Sequence, residues 1–183
     1  MDVPLQATPQ RIAVVRAVFA LVWAAGLAIA VGGKMPSTGA DVPTGAALLL
    51  ATYPLIDAIA SAIGSAFADA RVLRINAAIS AAAAVALAVT GFGSDAGSTL
   101  AAFGAWATVS GLIQLGVAIH RRRSGSRQLP MIASGAISTF AGLSFIAASG
   151  KDTAHFANLA GYMAFGAVLF LVSARPARRR IVA

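Results

Sequence analysis

Cysteine is absent from the 183 residues, which excludes a disulfide framework, a thiolate metal site and a redox thiol. Histidine is reduced to His120 and His155. The two fall on opposite sides of the topology derived below, so they do not pair as haem or metal ligands. Charged residues make up only 11% of the chain, and a soluble domain of this size needs far more polar surface. No lysine lies inside an apolar run to hold a retinal. No Ser/His/Asp set, phosphate loop or histidine pair at metal-binding spacing is present. The expectation is a non-enzymatic protein without cofactor or metal.

Apolar runs are what the chain has in abundance. It is 58% hydrophobic, with a mean hydropathy of +0.82. Runs of roughly 17–25 residues recur, each able to cross a hydrocarbon core of about 30 Å. The alternating ten-residue segments of a β-barrel are not seen. Six spans are predicted, at 12–33, 43–68, 75–92, 99–119, 130–149 and 156–174. The fold class is therefore an all-α integral membrane protein forming one six-helix domain. The first run has arginines before it, as a signal peptide would, but it is longer than a signal core and five spans follow, so it reads as a retained helix.

The basic charge sets orientation. The side holding the N-terminus, "DARVLR", "HRRRSGSRQ" and "ARPARRR" carries twelve arginines, while the other carries Lys34 and Lys151 alone. That asymmetry predicts cytoplasmic termini. Asp41, Asp95 and Asp152 all fall in the outer loops. The net charge of +8 thus reads as topology and contact with anionic lipid. Nucleic acid is not expected as a partner, because no aromatic stacking platform accompanies the charge.

Residues 93–123 slide onto 150–180. Gly93 meets Gly150, Asp95 meets Asp152, Gly104 meets Gly161, and Arg121, Arg122 and Arg123 meet Arg178, Arg179 and Arg180. Each segment reads as a helix, a short outer loop with Asp, a second helix and an arginine cluster. The first third follows the same order. Three hairpins are predicted, at about 12–70, 71–123 and 127–180, related by an axis along the membrane normal. Small residues four apart, such as Ala60 and Gly64 or Ser134 and Ser138, allow helices to approach closely. Trp23 and Trp106 read as core fillers.

One polar constellation stands out, "TYPLID" at 52–57. Asp57 is placed near the midplane, about 21 Å from either end of its span at 1.5 Å per residue. Arg16 is the nearest intramembrane cation, but it is placed about 13 Å from the centre of the first span, beyond direct reach. Asp57, Ser61, Gly64, Ser65 and Ala68 recur on one small polar face. Leu55, Ile59, Ile63 and Phe67 form the opposite, lipid-facing side. Pro54 removes the usual partner of the Leu50 carbonyl and is expected to kink the helix. Thr52 and Tyr53 add hydroxyls at the same level. Asn76 and Gln114 are amides within spans, and each must find a partner. Without a cation nearby, Asp57 is expected to hold its proton. It then either ties the second helix to a neighbour, through Asn76, Gln114, Ser110 or a backbone carbonyl, or forms a proton or solute site. The candidate residues are Asp57, Pro54, Tyr53, Ser61, Gln114 and Asn76.

The stretch "FGAWATVSGLIQLGVAIHRRR" (103–123) and the hairpin repeats around it resemble the HdeD-like family of small bacterial membrane proteins. Pro36 and Pro43 match the proline of that family's outer loop in the first repeat. The resemblance implies a bacterial plasma-membrane protein of envelope or acid-stress role, or an assembly partner, with homo-oligomers open, and it supplies no catalytic residues. The alternative is a small proton or solute channel or transporter built on the Asp57 carboxylate. Cysteines introduced at Ser37 and Gly125 should react with an impermeant thiol reagent from opposite faces of the membrane. Labelling from one face would refute the six-span topology.

Overall fold

The computed structural model describes residues 7–32, 37–66, 70–123 and 128–173. Among the described residues six helices follow one another: α1 Ala7–Val31, α2 Thr44–Gly64, α3 Ala70–Gly93, α4 Ala96–Arg123, α5 Leu129–Ala148 and α6 Phe156–Ser173. The predicted spans are all present. Five helices have the length and apolarity to cross a membrane, and α6 is a shorter apolar helix. Large apolar side chains are left outside on every helix, among them Ile29 at 80% and Phe140 at 73% exposure. In water such a belt would be untenable, whereas in lipid it faces its own solvent. The chain is a multi-pass helical membrane protein. Lys34, Pro36, Phe67, Ala68, Arg127 and the arginines from 175 to 180 lie outside the described residues.

Each helix packs on its neighbours in chain order, and α6 returns to α1, closing a ring. Packing is closest in the pairs α4–α5, α2–α3 and α1–α6, and slighter in α1–α2, α3–α4 and α5–α6. The tight seams therefore lie between the predicted hairpins rather than within them. Glycine explains the tightest. Gly104 and Gly111 on α4, and Gly135 and Gly142 on α5, are each seven residues apart, so both pairs stay on one face over two turns. A Cβ at Gly111 would lie 2.6 Å from the Thr139 backbone nitrogen, and one at Gly135 2.6 Å from that of Leu115. Here the two backbones touch. Such contact holds helices together where lipid removes the hydrophobic drive.

The end opposite the arginine-bearing turns is laced shut by its loops. The Thr38 amide donates to Asp152 O at 3.3 Å, the Ala96 amide to Ala40 O at 2.9 Å, and the Gly97 amide to Thr38 O at 2.8 Å. Ser37 and Thr153 form an isolated antiparallel bridge. Gly32, at φ +59°, takes the left-handed conformation directly after α1. Asp95 precedes α4 and accepts the Ser98 amide at 2.7 Å. That N–H holds its carboxyl below the usual carboxylate range. Beneath this lacing sit Leu27, Leu50, Leu100, Phe156, Leu159 and Met163, all buried.

Gly111→Ala should lower stability in micelles by about 2 kcal/mol, because the added methyl has no room. Gly116→Ala, where a Cβ meets nothing within 4 Å, should leave stability unchanged or slightly raised. Thermal or SDS unfolding of the two variants distinguishes them.

Candidate functional site

Asp57 lies on the inner face of α2, as the sequence pattern predicts. Ser61 is buried at 2% exposure, while Leu55, Ile59 and Ile63 face outward. Its depth differs from expectation. The α2 helix ends at Gly64, so Asp57 stands seven residues, about 10 Å, from that end. Arg16 stands nine residues, about 13 Å, into α1 from Ala7. The two are at similar depth, and Arg16 Nη2 donates to Asp57 Oδ1 in an ion pair. The expectation of a carboxylate beyond the reach of any cation rested on longer spans, and the pairing corrects it.

Around the pair is a web of donors. Asn76 Nδ2 donates to Asp57 Oδ2 at 2.7 Å and to Ser61 Oγ at 2.9 Å. The Ser80 hydroxyl donates to Asp57 Oδ2 at 2.8 Å, and Trp106 Nε1 donates to Ser80 Oγ at 3.0 Å. The Arg16 guanidinium also lies over the Phe170 ring, 4.5 Å from its centroid. One carboxylate thereby connects α1, α2, α3 and α4, and its cation reaches α6. Three donors on two oxygens fill three of the about four acceptor sites of a carboxylate. The Asn76 amide must point its nitrogen at Asp57, since its oxygen would be repelled there. Asn76 Oδ1 is consequently left without a partner among the described residues, as is Ser110 Oγ.

Of the predicted site residues, Asp57, Asn76 and Ser61 come together. Gln114 lines the same region but bonds elsewhere, Nε2 reaching Met131 O at 3.4 Å. Tyr53 belongs to a group of five rings. It lies 5.7 Å from Trp106 and 6.2 Å from Phe103, and Phe103 contacts Trp106, Phe145 and Tyr162 at 5.3–6.1 Å between centroids. Pro54 is buried in the core and lines neither cavity described below. The Thr52 hydroxyl accepts from Trp23 Nε1 at 2.9 Å and so serves packing. Sequence reasoning missed Ser80 and excluded Arg16. Ser80 follows Asn76 by four residues on α3, a spacing that would have revealed it.

A cavity of about 240 Å³ runs from Arg16 and Asp57 past Ser61, Asn76, Ile113, Gln114 and Val117 to Arg121 and Gln128 at the arginine-bearing end. A second, of about 60 Å³, adjoins it beyond the ion pair, lined by Tyr53, Ser110, Ser134, Ser138 and Tyr162. There the Tyr162 hydroxyl donates to Ser138 Oγ at 3.0 Å. Along α4 the order is plain. Ser110, Ile113, Gln114, Val117, Ala118 and Arg121 line the larger cavity, Trp106 borders the smaller one beside Phe103, and Leu100 and Ala96 belong to the packed outer half. No family model, curated protein or solved structure matches this chain, so its chemistry is read from this geometry.

Removing one partner of the ion pair should be costly. Arg16→Leu and Asp57→Leu should each lower stability by about 3 kcal/mol, because the remaining charge is stranded. The double variant should be less unstable than the sum of the two, with a coupling of at least ~1 kcal/mol by denaturant unfolding. Strict additivity would show that the two side chains do not interact.

Proposed function

We propose that this chain is a non-enzymatic membrane protein that takes a small solute into its interior from the arginine-bearing face. The observation that carries this reading is an ion pair lining a cavity inside an apolar helical ring. Intramembrane charges that face a cavity mark solute or ion pathways. The ring cluster and the laced loops make this a state closed on the far side, as alternating access requires of a carrier at rest. The arginine distribution supports a cytoplasmic placement of the open end, in a bacterial plasma membrane, with Arg71, Arg74 and Arg121 to Arg123 against anionic headgroups.

A second reading has its own support. Asp57 is met by Arg16, Asn76 and Ser80, the arrangement expected of a tie between helices. An HdeD-like stress or assembly protein of three hairpin repeats needs nothing more, and the alternation of tight and slight seams around the ring suits such repeats.

Because the chain is cysteine-free, Ala60→Cys in the cavity wall can be compared with Ile59→Cys on the lipid face. A charged thiol reagent applied from the arginine-bearing side should modify Ala60→Cys rapidly and Ile59→Cys slowly. Equal inertness would mean a dry, packed interior and leave the helix-tie reading standing. In proteoliposomes, Asp57→Asn should abolish any proton or solute flux that the wild type shows.

A further inference from the structure

Two buried polar atoms in the cavity wall lack a partner, and they belong to facing positions on α3 and α4. Trp106 Nε1 donates to Ser80 Oγ at 3.0 Å, which sets α4 against α3 at that depth. The two helices run in opposite directions. Asn76 lies four residues before Ser80 on α3, and Ser110 four residues after Trp106 on α4. Each is thus one turn, about 6 Å, nearer the arginine-bearing end on the same facing sides. Both line the larger cavity. Asn76 is only 7% exposed, and its Nδ2 is committed to Asp57 and Ser61. Turning the amide over would break both bonds, so Oδ1 stays an acceptor in need of a donor. Ser110 Oγ also has no partner among the described residues. Its hydroxyl can donate or accept, and it can turn among three staggered positions.

The charges of the wall are already met. Arg16 bonds to Asp57 and lies over Phe170, Asp57 accepts from Arg16, Asn76 and Ser80, and Arg121 is engaged within the structure as well. A charged solute meets no free counter-charge here, and burying it unpaired is costly. From these features we infer that the solute is a small neutral carboxamide. Its N–H donates to Asn76 Oδ1, its carbonyl accepts from the Ser110 hydroxyl, and its apolar body lies along Ile113, Val117 and Met131. This inference rests on the solute-site reading and names its ligand class. A buried polar atom left unpaired is expensive, so a ligand that serves both atoms gains more than one that serves a single atom. Each atom has less than 1 Å² exposed, and rotation of the Ser110 side chain admits the amide. Size narrows the class further. A benzene-sized ligand fills a cavity of about 150 Å³, so by proportion 240 Å³ holds ~10 non-hydrogen atoms.

The test uses the full chain in nanodiscs of neutral lipid, carrying Ala60→Cys in the cavity wall. Benzamide, acetophenone, benzoate and benzylamine are nearly equal in size. They are compared at neutral pH for protection of that cysteine from alkylation. Acetophenone keeps the carbonyl and replaces the amide nitrogen by a methyl. Benzamide should protect saturably, and the other three should need concentrations at least ~10-fold higher. Ser110→Ala should raise the benzamide midpoint by at least ~10-fold. In the empty protein the same variant should leave the melting temperature unchanged or raised, because the hydroxyl has no bond to lose. A lowered melting temperature with unaltered benzamide protection would make Ser110 structural and overturn the assignment. Equal protection by acetophenone refutes the donor. Equal or better protection by benzoate or benzylamine refutes the neutral class. Either result leaves the solute site intact. Protection by none of the four, with the cysteine still reactive, leaves trapped water as the occupant and also overturns the carboxamide. An unreactive Ala60→Cys removes the site itself.

Discussion

A carboxylate placed among apolar helices has to be met by donors, and the donors that Asp57 requires come from the neighbours that close the ring. Arg16 comes from α1, Asn76 and Ser80 from α3, and Trp106 from α4 through Ser80. Lipid offers no water to substitute for any of them. A ring assembled by apolar contact alone could slide in register, since one alanine-rich face packs much like the next. Fixed hydrogen bonds at a single depth remove that freedom. The pair is also where the packed half of the molecule gives way to the hollow half.

That division runs across the bundle. On one side, loop amides bond to one another and the interior is filled by leucine, phenylalanine and methionine. On the other, small and polar residues leave space that reaches the arginine-bearing end. The five rings around Phe103 form the boundary. Flat side chains from α2, α4, α5 and α6 meet there and fill the cross-section with ring contacts. A molecule built this way is asymmetric along the membrane normal, although its helices are nearly alike in composition. The asymmetry adds to the ion pair as support for the proposed solute site over a uniform scaffold.

The glycine seam between α4 and α5 complements the polar web. These two helices contribute no direct donor to Asp57, so backbone contact has to hold them, and glycines spaced seven apart on both helices allow it. Different pairs in the ring therefore use different means. Backbone approach dominates α4–α5. In α2–α3, hydrogen bonds to Asp57 and Ser61 add to the close fit of Gly91 against Ala47. Buried alanines and the Arg16–Phe170 stack serve α1–α6.

Apolar periodicity was enough to show six helices, the lipid face of α2 through Leu55, Ile59 and Ile63, and the inward position of Asp57, because each is a property of one helix and its solvent. The polar partner Asn76 was legible for the same reason, as an amide that no span can leave unpaired. Arg16 was not. Whether its guanidinium reaches Asp57 depends on where α1 and α2 begin and end and on how they lie side by side, and hydropathy leaves those ends uncertain by a turn. Ser80, the ring cluster and the cavity were hidden too, since each arises only when residues from three or more helices are brought to one depth. The sequence by itself determined that an acid would be buried in a membrane bundle. The tertiary structure alone decided that a cation would meet it, with a hollow on one side and packed rings on the other, because helix register sets which side chains converge.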